Sequence, residues 1–145
     1  MHPKYHYPIS RIDFERVPIN IRDLVEEQFT EPRAVFTFYT LEETPILAIG
    51  KGHVELIERR DVNIDTNNYD NIIRVRLEDG IITEYNHIEP KVSVGDKAEL
   101  GTILAIQDPN FVRGSRALHF HFGFYRKEGD IYAPFKVQLT RPQDI

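Results

Sequence analysis

The run Leu118-His119-Phe120-His121-Phe122-Gly123-Phe124-Tyr125 concentrates the chemistry of this chain. Side chains alternate faces along a β-strand. Leu118, Phe120, Phe122 and Phe124 therefore point together into a core, while His119, His121, Gly123 and Tyr125 point the other way. Two rises of about 3.3 Å separate the histidines. Their imidazoles can converge on one small object, and Gly123 leaves room beside them. Imidazole is both a proton-transfer group and a common metal ligand. The pair suits a metal or acid–base site. It equally suits a polar outer face that happens to carry histidine twice, and spacing alone does not separate the two.

The rest of the sequence says what must hold such a strand. Val35-Phe36-Thr37-Phe38-Tyr39 is aromatic and β-branched, and 45–49, 52–58, 71–77, 81–88, 100–106 and 118–125 have strand-like composition. Glu78-Asp79-Gly80 supplies the positive-φ residues a hairpin turn needs. Segments 61–70 and 108–116 are polar and predict loops. Many short, closely spaced strands predict an all-β sandwich or barrel. Ahead of them, Asn20 reads as a helix N-cap, with Ile21, Leu24, Val25 and Phe29 at helical spacing before Pro32. This predicts a tail and short helix over 1–32, packed on a domain spanning 33–145.

Composition narrows the function classes. The 145 residues fit one domain with a core of its own. The absence of Cys excludes disulfides, Cys-ligated zinc, iron–sulfur clusters and thiol chemistry. Eighteen Lys and Arg stand against 23 Asp and Glu, a net charge of −5, which argues against nucleic acid as a partner. No stretch is long and apolar enough for a membrane span. Residues 1–10 lack the basic and apolar regions of a secretory signal, so at face value the chain stays where it is made.

A third histidine joins the pair through a longer pattern. Asn71-Ile72-Ile73-Arg74-Val75, the Glu78-Asp79-Gly80 turn and Thr83-Glu84-Tyr85-Asn86-His87-Ile88 form one ungapped block. Val92-Ser93-Val94-Gly95-Asp96, Gly101 and Ile103 form a second, and His119-Phe120-His121-Phe122 a third. Upstream, Thr44-Pro45-Ile46-Leu47-Ala48 precedes Gly52-His53-Val54. Together, over about residues 33–126, these blocks resemble the lysostaphin-type (LytM-like) zinc endopeptidases that cut peptidoglycan cross-bridges. The resemblance implies an all-β fold of antiparallel sheets in a sandwich-barrel, a duplicated hybrid motif. It also implies a zinc centre with two ligands from a His-x-Gly-x-Asp segment and a third from the second His of His-x-His. The other two histidines would hydrogen-bond the reacting water and the oxyanion. Relatives of this kind usually act outside the cytoplasm, so the resemblance and the leaderless start leave the compartment open.

Carried over residue by residue, His121 takes the third ligand position, and His87 and His119 the two catalytic positions. At the family's usual spacing before Thr44-Pro45, the first two ligands fall on Arg33 and Thr37. Arg has no lone pair to offer and Thr is a poor zinc ligand. The expectation is therefore a dismantled metal site, no cofactor, and vestigial catalytic histidines. Arg33 and Tyr85 are expected to line the cleft, Arg33 turning it towards anions. The function expected is a non-catalytic binding or scaffold module for a peptidoglycan fragment or a protein partner. One alternative is an active zinc endopeptidase with rearranged ligands, from Glu42, Glu43 or His53. A third reading, a carrier or phosphotransfer domain, is suggested by Val94-Gly95-Asp96-Lys97 and His121-Phe122-Gly123. It lacks the Met-flanked lysine of carriers and has its motifs in the opposite order to phosphotransfer domains. Arg59, Arg60, Arg74 and Arg76 make a mildly basic stretch, expected as a solvated sheet face or a docking surface.

Overall fold

The computed structural model describes residues 4–63, 68–109, 112–113 and 117–144. The elements in order are β1 (Lys4–Ser10), α1 (Arg11–Arg16), α2 (Ile19–Glu26), a 3-10 turn (Glu27–Thr30), β2 (Val35–Thr40), β3 (Pro45–Leu47), β4 (Gly52–Asn63), β5 (Asn68–Leu77), β6 (Ile81–Asn86), β7 (Ile88–Pro90), β8 (Lys97–Ala98), β9 (Ile103–Gln107), β10 (Val112–Arg113), β11 (Ala117–Glu128), β12 (Ile131–Pro134) and β13 (Gln138–Gln143). The architecture is all-β with few helices, as the alternating segments predict.

One eight-stranded sheet runs β10-β11-β6-β5-β4-β8, with β2 and β12 also pairing β11. A three-stranded sheet, β3-β9-β7, makes the second layer. Strand pairs in both are antiparallel. Strand β11 is the hub. It pairs β2 over 118–123, β6 over 121–126 and β12 over 125–128. The β5–β6 hairpin closes as expected. Gly80 sits at φ 88, its N–H donates to Leu77 O at 2.9 Å, and the Asp79 carboxylate accepts the Ile81 N–H at 2.9 Å. A left-handed residue here carries no Cβ penalty only if it is glycine.

Between the layers lies one apolar core. Phe36, Phe38, Ile73, Val75, Tyr85, Phe120, Phe122 and Phe124 come from the large sheet, and Ile46, Ile88, Leu104 and Ala105 meet them from the small one. The Phe row of β11 is fully buried, as its alternation predicts.

The N-terminal segment holds more structure than a tail and one helix. Strand β1 pairs β13 in parallel, a contact between the two ends of the chain that local pattern does not reveal. Tyr7, Ile9, Phe14 and Val25 enter the same core, and Tyr5 donates to the Asp79 carboxylate at 2.7 Å. Ser10 caps α1 through the Asp13 N–H. Helix α2 starts at Ile19 rather than after Asn20, because the Pro18 carbonyl already accepts the Ile21 and Arg22 N–H groups at 2.9 Å. Proline is well tolerated at a helix start, since it lacks only a donor that would go unused there.

Two expected loops also shift. Most of 61–70 belongs to β4 and β5, with 64–67 outside the described residues. Within 108–116, Val112 and Arg113 pair β11, while 110–111 and 114–116 lie outside the described residues. The basic stretch is internally neutralised at two positions, Arg74 pairing Glu84 at 2.7 Å and Arg76 pairing Glu55 at 2.7 Å. No helix among the described residues is long and apolar enough to cross a membrane.

Candidate functional site

The three histidines singled out by the sequence resemblance converge. Ring centroids are 5.2 Å apart for His87 and His119, 4.7 Å for His87 and His121, and 5.4 Å for His119 and His121. One potential ligand nitrogen from each lies within 4.8 Å of the other two. His119 and His121 reach this point by strand alternation on β11, on the face opposite the Phe row.

His87 arrives by a different route. Strict alternation through Thr83, Tyr85 and His87 would put all three on one face, and Thr83 and Tyr85 are both fully buried on the core side. Strand β6 ends at Asn86, and His87 adopts φ 67, which swings its ring onto the face of its neighbours on β11. A left-handed non-glycine residue is uncommon, though histidine is enriched among them. The strain is held from both ends. The His87 N–H donates to the Asp70 carboxylate at 2.9 Å, and the His87 carbonyl accepts from the Gln107 side-chain amide at 3.0 Å. Local strain of this kind persists only where the surroundings over-determine it.

Asp70 does a second job. Its Oδ1 also lies 3.1 Å from His87 Nδ1. Burial pushes the Asp70 carboxyl up, but the hydrogen bonds and charge of His87, with the charge of Arg60, outweigh it and hold the group below the ordinary carboxylate value. In the tautomer that places the proton on Nδ1 towards Asp70, Nε2 is the ring nitrogen that carries the lone pair. Sequence reading missed Asp70 because it lies 17 residues before His87, in a segment whose Asn and Asp content signals a loop.

Gln107 is the other unforeseen residue. It is fully buried, and its amide nitrogen donates to the carbonyls of His87 at 3.0 Å, His119 at 2.8 Å and Asp108 at 3.2 Å. Its amide oxygen accepts from the Thr40 hydroxyl at 2.6 Å. One side chain thus fastens two of the three histidine backbones. The available signal was a polar residue ending the apolar run Ile103-Leu104-Ala105-Ile106.

Thr37 and Arg33 part company. The register sets Thr37 directly opposite His121 and Tyr39 opposite His119. Directly opposed residues of an antiparallel pair share a face, so Thr37 stands beside the histidine trio. Its backbone is fixed from outside by Gln28, whose side chain donates to Thr37 O at 2.7 Å and accepts the Thr37 N–H at 2.8 Å. Arg33 lies further up the chain, bridged to Val137 by backbone hydrogen bonds of 3.0 and 2.9 Å. Neither residue offers the carboxylate or imidazole that the family's zinc requires at these positions. A ligand set that drew on Arg33 and Thr37, as the sequence resemblance places it, would therefore not suit zinc.

Other expectations change. Tyr85 is fully buried rather than lining the cleft. Its ring packs 4.9 Å from Phe122, its hydroxyl donates to Leu47 O at 3.2 Å, and burial raises its pKa. The space beside Gly123 is filled by its strand neighbour. A Cβ added there would lie 2.9 Å from Tyr125 Cε2. Gly123→Ala is expected to cost about 1 kcal/mol in unfolding free energy by displacing that ring, while Gly123→Ala with Tyr125→Ala recovers most of it. Equal losses in both variants, by urea unfolding, would show that the tyrosine is not the obstacle. Glu42 and Glu43 line a separate cavity of about 240 Å³ with Glu89, Ile106, Gln107 and Pro109. His53 lines another, of about 360 Å³, with Lys51, Glu78, Lys97 and Glu99. Among the described residues, the group of potential metal ligands comprises His87, His119 and His121.

This fold recurs in known proteins. Lysostaphin is similar with a TM-score of 0.53 at 23% identity, the match covering 70% of this chain and 40% of lysostaphin. The chain thus spans well under half of that protein. LytU is similar with a TM-score of 0.53 at 20% identity, covering 74% of this chain and 78% of that one. A point mutant of the catalytic domain of EnpA, a prophage-encoded M23 protein from Enterococcus faecalis, gives 0.51 at 16% identity over 72% and 74%. At such identities the likeness is one of fold. A search of curated proteins finds no sequence match. The profile of peptidase family M23, a zinc-dependent family, matches residues 35–134, which run from the start of β2 to the end of β12 and take in all three histidines. The chain belongs to peptidase family M23.

Proposed function

We propose that this domain is a non-hydrolytic M23 module that binds a peptidoglycan-type peptide without cutting it. The observation that carries the reading is Thr37, set directly opposite His121 where the family's pattern calls for a carboxylate ligand. With Arg33 bridged to Val137, His121 is the only member of the family's ligand set that remains. A single imidazole does not hold zinc in the three-ligand, one-water arrangement that hydrolysis by this route needs.

What remains is a sheet face fit for contact. Beside the histidines it carries Tyr39 and the exposed Val35, the one opposite His119 and the other opposite Gly123. An aromatic ring, an aliphatic patch and three imidazoles can accept the backbone and small side chains of an extended peptide. The second reading, an active endopeptidase with rearranged ligands, is favoured by the convergence of those imidazoles.

One assay separates them. The protein is incubated with peptidoglycan fragments and with an oligoglycine peptide, with and without added zinc. The expected result is retention of peptidoglycan in a pull-down and no product by mass spectrometry. Zinc-dependent cleavage that disappears in His119→Ala would overturn the proposal and establish the endopeptidase. Failure to retain the polymer, with a specific protein captured instead, would replace peptidoglycan by a protein partner.

A further inference from the structure

We propose that His87, His119 and His121 together form a divalent transition-metal site, with Asp70 as a positioning residue for His87. The site replaces the family's ligand set with a different one, built around the one position they share, His121. It rests on the reading that Arg33 and Thr37 are not ligands, and its test reads metal binding rather than hydrolysis.

The donor set is suitable. Imidazole nitrogen is a good ligand for zinc, copper and nickel, and three histidines with one open position are an established zinc arrangement. The three nitrogens lie within 4.8 Å of one another. Around a tetrahedral zinc with bonds of about 2.0–2.1 Å they would stand about 3.4 Å apart. Closure by roughly 1.5 Å follows from small rotations of the rings about their side-chain torsions.

The surrounding residues are those a metal site needs. A metal-bound histidine almost always donates its other ring N–H to a carboxylate or carbonyl, which fixes tautomer and ring orientation. Asp70 stands in that relation to His87, at 3.1 Å from Nδ1. It also accepts the His87 N–H, so ring and backbone are fixed by one carboxylate. Gln107 ties the His87 and His119 carbonyls to a single amide. The left-handed turn at His87 makes sense in the same terms. Its strain serves to bring a third imidazole onto a face that regular alternation would have denied it.

The ligand change has a chemical consequence. The two imidazoles that the family pattern assigns to the reacting water and oxyanion become ligands themselves. None of the three is then left to act as a base.

The test uses the full chain, stripped with a chelator and titrated with zinc by calorimetry and with cobalt by visible absorption. The expected result is one metal per chain and an intense tetrahedral cobalt band. Single substitutions His87→Ala, His119→Ala and His121→Ala should each weaken binding by at least ~100-fold, and Asp70→Asn by about 10–100-fold. His53→Ala should leave it unchanged. Ring-nitrogen NMR of the unmodified protein gives a readout free of folding defects, with three histidines shifting together on adding zinc. Binding that survives both His87→Ala and His119→Ala, or no shift of the three resonances, overturns the proposal. Hydrolysis by a protein whose zinc depends on all three histidines would overturn the non-hydrolytic reading and support this one. Absence of both metal binding and hydrolysis would do the reverse.

Discussion

Phe122→Ala should lower the unfolding free energy by about 3–5 kcal/mol, the range for removing a large aromatic from a close-packed core. Phe122 is fully buried, with ring centroids 4.9 Å from Tyr85, 4.8 Å from Phe124 and 6.3 Å from Phe38. In register it lies between Phe36 on β2 and Tyr85 on β6. Truncation leaves a cavity bounded by rigid rings on two neighbouring strands, so little collapse can offset it. Its sequence neighbours are His121 and Gly123, so the Phe row also anchors from below the strand that carries His121. Urea unfolding should show a lower midpoint at an unchanged slope. A loss below about 1 kcal/mol would mean that the core is not organised around β11.

Much of this was legible because strand alternation is strict. The Phe row of β11 and the opposing pair His119 and His121 follow from a period of two, and the fold class follows from how many such segments there are. The hairpin at Asp79-Gly80 follows from turn chemistry that only a few residues satisfy. Legibility stops where a residue leaves the period. At His87 a single positive φ reverses the facing that Thr83 and Tyr85 obey. Tyr85 and His87 therefore do not share a face, which is why Tyr85 packs in the core.

The remaining gaps are contacts between residues far apart in sequence. Asp70 meets His87 across 17 positions, and β1 meets β13 across almost the whole chain. Propensity and periodicity are local and carry no information about such pairings. Gly123 failed differently. A glycine beside two histidines reads as space for a ligand, yet its other strand neighbour, Tyr125, lies on the same face and fills that space.

Gln107→Leu tests the least legible residue, and its effect should be large on both stability and metal affinity. The substitution keeps volume and burial but removes one acceptor and the donors to three carbonyls. Each net hydrogen bond contributes about 0.5–1.5 kcal/mol, and each buried polar group left unpaired costs about 1–3 kcal/mol. The His87 carbonyl keeps a partial solution, since the Asp108 N–H also reaches His87 O at 3.4 Å. A total loss of about 2–4 kcal/mol is therefore expected. The more telling outcome is selective. Without Gln107 the left-handed turn at His87 keeps Asp70 on its N–H side but only the long Asp108 N–H contact on its carbonyl side. The ring is then held on the face shared by His119 and His121 with weaker backbone support, chiefly by Asp70. Zinc affinity should fall in Gln107→Leu at constant pH, since pH itself changes the availability of the imidazoles. Chemical denaturation measures the first effect and calorimetric zinc titration the second. A variant that loses stability but binds zinc as before would show that Gln107 supports the fold without positioning the trio.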